Sequence, residues 1–139
     1  MGDKARSVTS YRDLRVWRAG LDLVRDVYRA TDAFPRAEMF GLVSQMRRAA
    51  VSVPSNIAEG HTRGYTRDYL HHVVIAHGSL AELLTQIEIA LELGFMEVEI
   101  GHELSANADA LSRQLNALRT ALADRLPQSP LPTPHSHVP

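Results

Sequence analysis

At 139 residues, with 45% hydrophobic and 22% charged side chains, the chain suits one soluble globular domain with its own core. The absence of cysteine excludes disulfides, thiolate zinc sites and cysteine nucleophiles; no uninterrupted apolar run approaches the roughly 20 residues of a membrane span, and MGDKARSVTS lacks the apolar stretch of a signal peptide, so a cytoplasmic protein without a membrane partner is expected. The formal charge is -1, yet residues 1–65 carry eleven Lys and Arg against seven Asp and Glu, while 66–139 carry four against nine, which marks either a basic surface for a polyanion or acidic and basic helices packed as neighbours.

No segment alternates with period two, and the apolar periodicity gives four helices, an all-α chain. After an N-terminal arm (1–10), the first helix is expected over Tyr11 to Ala30. Leu14, Trp17, Leu21, Val24 and Tyr28 step by 3, 4, 3 and 4, a stripe that should face the core. In "TDAFPRAE", Pro35 suits the first position of a new helix and Glu38 its first turn. The second helix then begins near Arg36, with Met39, Leu42, Val43, Met46, Ala49, Ala50, Val53 and Ile57 on its apolar side. Its periodicity continues past Pro54.

Gly60 and Gly64 bracket the next connection, "GHTRGYT". Thr66 is placed as an N-cap, with Tyr65 and Leu70 as a hydrophobic staple, and Gly94 as the left-handed C-terminal residue on which Phe95 folds back. The third helix therefore spans about Arg67 to Leu93. The fourth, Glu97 to Leu126, carries the seam Ile100, Leu104, Ala108, Leu111, Leu115, Leu118 and Leu122, with Gly101 a cost of ~1 kcal/mol in helix propensity. The tail, 127–139, holds five of the seven prolines and cannot continue a helix.

Short connections between four helices predict an antiparallel up-down bundle. On the third helix Tyr69, Val73, Ala76, Leu80, Leu83, Ile87 and Ala90 form one stripe, and Leu70, Val74, Leu84 and Leu91 widen it. A face broader than one core needs implies a second contact, most simply with another copy of the chain, so Leu80, Leu83 and Ile87 are candidate core or oligomer positions.

The run "RRAAVSVPSNIAEG", Arg47 to Gly60, sets Ser52, Pro54, Ser55, Asn56, Glu59 and Gly60 in a helical context. Pro54 leaves the Ala50 carbonyl without its donor and is expected to bend the axis, at ~3 kcal/mol, with Ser52, Ser55 and Asn56 bonding backbone groups at the bend. Asn56 and Glu59 share a face with a three-residue step, as do Ser79 and Glu82, which predicts a polar cluster between the second and third helices. With "YRDLRVWRAGLDLVRDVYRATDAFPRAEMFGLVSQM" before it and "IAHGSLAELLTQIEIALELGF" after it, this run resembles the four-helix-bundle family first noticed as open reading frames inside intervening sequences of bacterial 23S rRNA genes. The resemblance covers about Tyr11 to Leu122. It implies an antiparallel four-helix bundle assembled as a homopentamer, without an established catalytic activity. One branch, the accessory variability determinant of diversity-generating retroelements, is a basic pentamer that binds nucleic acid and a reverse transcriptase; this chain departs from it in being about neutral.

Chemistry-bearing patterns are few. His71, His72 and His77 do not recur at i+3 or i+4, there is no HExxH, and Glu99 with His102 is a single Glu-x-x-His pair without a counterpart, so neither a metal nor another cofactor is expected. His135 and His137 in the tail form only a loose chelating pair. No G-x-S-x-G, P-loop or G-x-G-x-x-G is present, and the chain is read as a non-enzyme. Two functions remain: a nucleic-acid accessory protein using Arg47 and Arg48, then Arg12, Arg15 and Arg63, for RNA or DNA; or an oligomeric scaffold for a protein partner. Alternating charge at Arg18, Asp22, Arg25, Asp26 and Arg29 favours the second, because that face pairs with itself.

Overall fold

The computed structural model describes residues 10–127; the arm before Ser10 and the tail after Pro127, with His135 and His137, lie outside the described residues. Four helices, α1 (Arg15–Thr31), α2 (Leu42–Thr62), α3 (Thr66–Glu92) and α4 (Val98–Arg125), run up and down, and there is no strand among the described residues. Each helix packs on its sequence neighbours and α1 also meets α4, closing a four-helix bundle.

The chain enters through a 3-10 turn, Tyr11–Asp13, whose first free amide, Arg12 N–H, donates to Ser10 Oγ (3.1 Å). Leu14 is extended, so α1 starts at Arg15 and not at Tyr11. Its buried face is Gly20, Leu23, Val27 and Thr31, which corrects the expected stripe. Leu14, Trp17 and Val24 sit at the rim of the core and Tyr28 is exposed. Both rings carry cations on their outer side: Arg18 lies over the half-buried Trp17 (5.4 Å) and Arg47 over Tyr28 (4.4 Å). Between α1 and α2 the fit depends on Gly20, where a Cβ would stand 3.2 Å from the Pro54 ring.

Pro35 does not open α2. It precedes a separate 3-10 turn, Arg36–Glu38, and the helical phase is broken at Gly41 (φ -111°, ψ -110°) before α2 begins at Leu42. Glu38 Oε1 accepts the Leu42 N–H (3.3 Å), supplying one of the bonds a helix start lacks. The break turns Met39 and Phe40 outward, 48% and 96% exposed, so Met39 is not the core residue its spacing suggested. The rest of the α2 stripe, Leu42 through Ile57, is buried, and the helix runs through a buried Pro54 to Thr62.

Gly64 (φ +83°) makes the α2–α3 turn, whereas Gly60 lies inside α2. At the other end of α3, Gly94 (φ +71°) lets Phe95 N–H reach back to the Ala90 carbonyl (2.9 Å). Phe95 then meets Phe34 (centroids 5.8 Å), joining the α1–α2 and α3–α4 connections at one end of the bundle. On α4, Leu104, Ala108, Leu111, Leu115 and Leu122 are buried, but Ile100 is exposed. Gly101 is buried in its place because a Cβ there would strike the Leu91 side chain.

Met46, Ile57, Leu80, Leu83, Ile87, Leu111 and Leu115 form the dry centre. By length and composition alone α3 is apolar enough to cross a membrane; in this fold its apolar stripe is taken up by the bundle core.

Candidate functional site

Ser52, Asn56, Glu59 and Arg63 follow one another at helical spacing and form the edge of α2 that meets α3. Ser52 Oγ and Ser79 Oγ are 2.8 Å apart, and the Asn56 amide donates to both the Ser52 carbonyl (2.9 Å) and Ser52 Oγ (3.0 Å). Asn56 Oδ1 faces His72 Nδ1 at 3.0 Å. Since the Ser52 carbonyl can only accept, the Asn56 NH2 must point to it and the oxygen to His72. His72 Nδ1 therefore carries the proton, and its Nε2 faces Glu59 Oε2 at 3.9 Å. Glu59 in turn accepts from Arg63 (3.0 Å).

This ladder realises the polar cluster that the sequence predicts, with two corrections of membership. Ser55 and Glu82 are exposed and make no bond to it. His72 belongs to it and was missed; its signal was position, since it falls between Tyr69, Val73 and Ala76 on the buried side of α3. Gly60 permits the close approach, for a Cβ there would lie 2.6 Å from His72 Cβ.

The ladder is asymmetric in burial. Ser52, Asn56 and His72 are largely covered, whereas Glu59 is exposed and its pair with Arg63 is a screened surface contact. The Arg63 hydrogen bond, and then the nearby His72, hold the Glu59 carboxyl below the usual carboxylate range. Its contribution is thus present above the unfolded value and is lost as pH falls through the folded one. Beside the ladder, burial holds His61 below the ordinary histidine range, edge-on to Tyr69 (5.4 Å). Burial also pushes the Tyr69 phenol up to about 12. Among the described residues, the Tyr69 hydroxyl and Gln86 Oε1 are buried without a hydrogen-bond partner.

What the arrangement can do chemically is limited by its own satisfaction. Ser52 is bonded to Ser79 and Asn56, not to His72, so no serine is set against the imidazole. A separate contact, His77 Nε2 to Ser112 Oγ (3.0 Å), joins α3 to α4. Among the described residues no three His, Asp or Glu side chains are grouped as a metal site requires.

The candidate phosphate-binding arginines are scattered and unequal. Arg47 is committed to the end of α1. Its Nε donates to Thr31 Oγ1 (2.9 Å), its Nη2 to the Tyr28 carbonyl (3.4 Å) and to Asp32 Oδ1 (3.2 Å), placing positive charge where the helix dipole is negative. Its acidic partner, Asp32, belongs to the α1–α2 connection and not to a neighbouring acidic helix. Arg63 pairs with Glu59, and Arg12 lies over the Tyr11 ring (4.9 Å). Arg15 and Arg48 are exposed, and neither makes an ion pair among the described residues.

No curated protein matches the chain. Among solved structures, a protein of unknown function from the S23 ribosomal protein family of Bacteroides thetaiotaomicron has the same fold. It is 15% identical, with a TM-score of 0.68, over 75% of this chain and 97% of that one. Residues 12–117 match the 23S rRNA-intervening sequence protein family, from the entry turn through most of α4, and the chain belongs to that family.

Proposed function

We propose that the chain is a non-enzymatic, homo-oligomeric scaffold of the cytoplasm, with the pentamer that its family resemblance implies as the expected assembly. One observation carries the reading: Phe40 is 96% exposed. It stands with Tyr28, Met39 and Val51 around an open groove of about 440 Å³ on the outer side of α1 and α2. An aromatic ring held fully in water beside further apolar side chains is a feature that a partner surface removes. The self-satisfied α2–α3 ladder supports the non-enzymatic part of the reading.

A nucleic-acid accessory role is the second reading, favoured by Arg15 and Arg48. Repeated once per subunit, two modest phosphate contacts gain avidity. Arg47, committed to α1, is not expected to contribute. Light scattering at about 50 mM salt, with and without duplex DNA or structured RNA, tests both readings. The expected result is an assembly whose mass is a multiple of 15.4 kDa; a monomer at tens of micromolar overturns the scaffold. Added mass that Arg15→Ala with Arg48→Ala abolishes establishes the second reading, and none leaves the scaffold alone.

A further inference from the structure

Along the α1–α4 seam the bundle is open. Two depressions, of about 330 and 280 Å³, lie end to end there, and because both are lined by Asp26 and Asn107 they form one trough. Its floor is Leu23, Leu104 and Leu111; one end is marked by Ala19 and Gln114, and the other runs out at the exposed Ile100. The rim carries both signs, Asp22, Asp26 and Glu103 against Arg25 and Arg29. Arg25 reaches Asp22 and Asp26 only at 3.5 and 3.7 Å, so both carboxylates keep room to accept hydrogen bonds. Glu103, Asn107 and Gln114 are exposed, and their side chains have no hydrogen-bond or ion-pair partner among the described residues.

We infer that the chain's own segment 128–139, QSPLPTPHSHVP, lies back along this trough as an extended strap antiparallel to α4. Departure point and reach select it. α4 ends at Arg125, at the same end of the trough as Ala19 and Gln114, so the chain leaves the bundle at the mouth of the seam. In polyproline geometry, ~3.1 Å per residue, His135 and His137 stand about 25 and 31 Å beyond Pro127. Measured back along α4 from Arg125, at ~1.5 Å per residue, Asn107 and Glu103 lie at about 27 and 33 Å. The strap's histidines therefore arrive beside the open acceptors of the rim, and Val138 follows near the level of Ile100. Chemistry selects the segment as well. It has no Asp, Glu, Lys or Arg, so neither sign of the rim repels it, and Thr133, His135, Ser136 and His137 bring donors for the carboxylates. Pro130, Pro132 and Pro134 carry no amide N–H that an apolar floor would leave unpaired, and their fixed φ cuts the entropy lost on docking.

The chain has no cysteine, so thiol pairs can be placed in it cleanly. In the full chain Ser136→Cys is combined with Asn107→Cys, on the trough, or with Asp109→Cys, at the same height on α4 but outside the trough lining; Glu103→Cys serves as a second trough position. Asn107, Glu103 and Asp109 are all exposed, and an unchanged circular dichroism melt confirms that each variant folds. Under mild oxidation of a dilute sample the trough pairs should close within one chain about tenfold faster than the Asp109 pair, because a docked segment raises the local thiol concentration. Non-reducing electrophoresis reads this as a fast-migrating monomer. Equal rates at Asn107 and Asp109, or no closure at either trough position, show a segment that does not settle in the trough and overturn the inference. A bond that forms only between chains overturns it too, since the trough then holds a neighbour's segment. None of these outcomes touches the scaffold reading, which rests on the groove around Phe40.

Discussion

Leu83→Ala is expected to lower the unfolding free energy by about 2–5 kcal/mol, a large share of the roughly 5–15 kcal/mol that holds a domain together. Leu83, like Leu80 and Ile87, is fully buried within a single chain, among side chains from all four helices. Removing three carbons there costs the transfer of apolar surface and leaves a cavity that a four-sided core cannot close. These three are thus core positions of the single chain. Urea unfolding followed by circular dichroism measures it. A loss below about 1 kcal/mol would show that α3 is not packed on its neighbours as described.

Gly60→Ala is the second large effect, and it is best read beside Gly78→Ala. At Gly60 the new Cβ would stand 2.6 Å from His72 Cβ and 3.3 Å from the Tyr69 Cα. Backbone must move to admit it, and overpacking of this kind costs about 1–3 kcal/mol or more. At Gly78, on the exposed side of α3, a Cβ meets nothing within 4 Å. There alanine should instead stabilise by about 0.5–1 kcal/mol, from helix propensity alone. The two substitutions are chemically identical and should move the melting temperature in opposite directions. The same sign at both would show that α2 and α3 do not approach closely at Gly60.

These glycines also mark where the sequence was legible and where it was not. Helix number, the ends of α3 and α4 and most of the core followed from spacing, because burial on one side of a helix imposes a period that side chains cannot hide. Gly94 was readable from its place after an apolar run. Gly60 and Gly101 were not: a turn and a close approach ask for the same residue, and only the neighbour across the gap, His72 or Leu91, tells them apart. The phase of α1 was misjudged because Trp17 and Tyr28 count as apolar while serving as platforms for arginines. Met39 was assigned to the core because periodicity cannot see the break at Gly41.

For the candidate site the limits were of the same kind. The α2 half of the ladder was visible in Ser52 and Asn56, whose spacing puts them on one face, and Ser79 answered on α3. His72 was hidden because a histidine on a helix fits surface and seam equally, and its role depends on an amide orientation that only the Ser52 carbonyl decides. Arg47 looked like half of a basic pair with Arg48. Its commitment to Thr31, Asp32 and the Tyr28 carbonyl is a long-range contact that no local pattern announces.

The "RRAAVSVPSNIAEG" helix builds an internal seam with α3, and the assembly proposed above is expected on a separate surface, around Phe40. Hydroxyl-radical footprinting of the wild-type chain, concentrated and then diluted below its association range, tests that separation most directly. Met39 and Phe40 should be protected in the concentrated sample and become strongly labelled on dilution, as their exposure in the single chain requires, while His72 and Tyr69 stay unreactive throughout. Met39 and Phe40 labelled equally at both concentrations, with protection appearing instead at His61 or Tyr65, would contradict it.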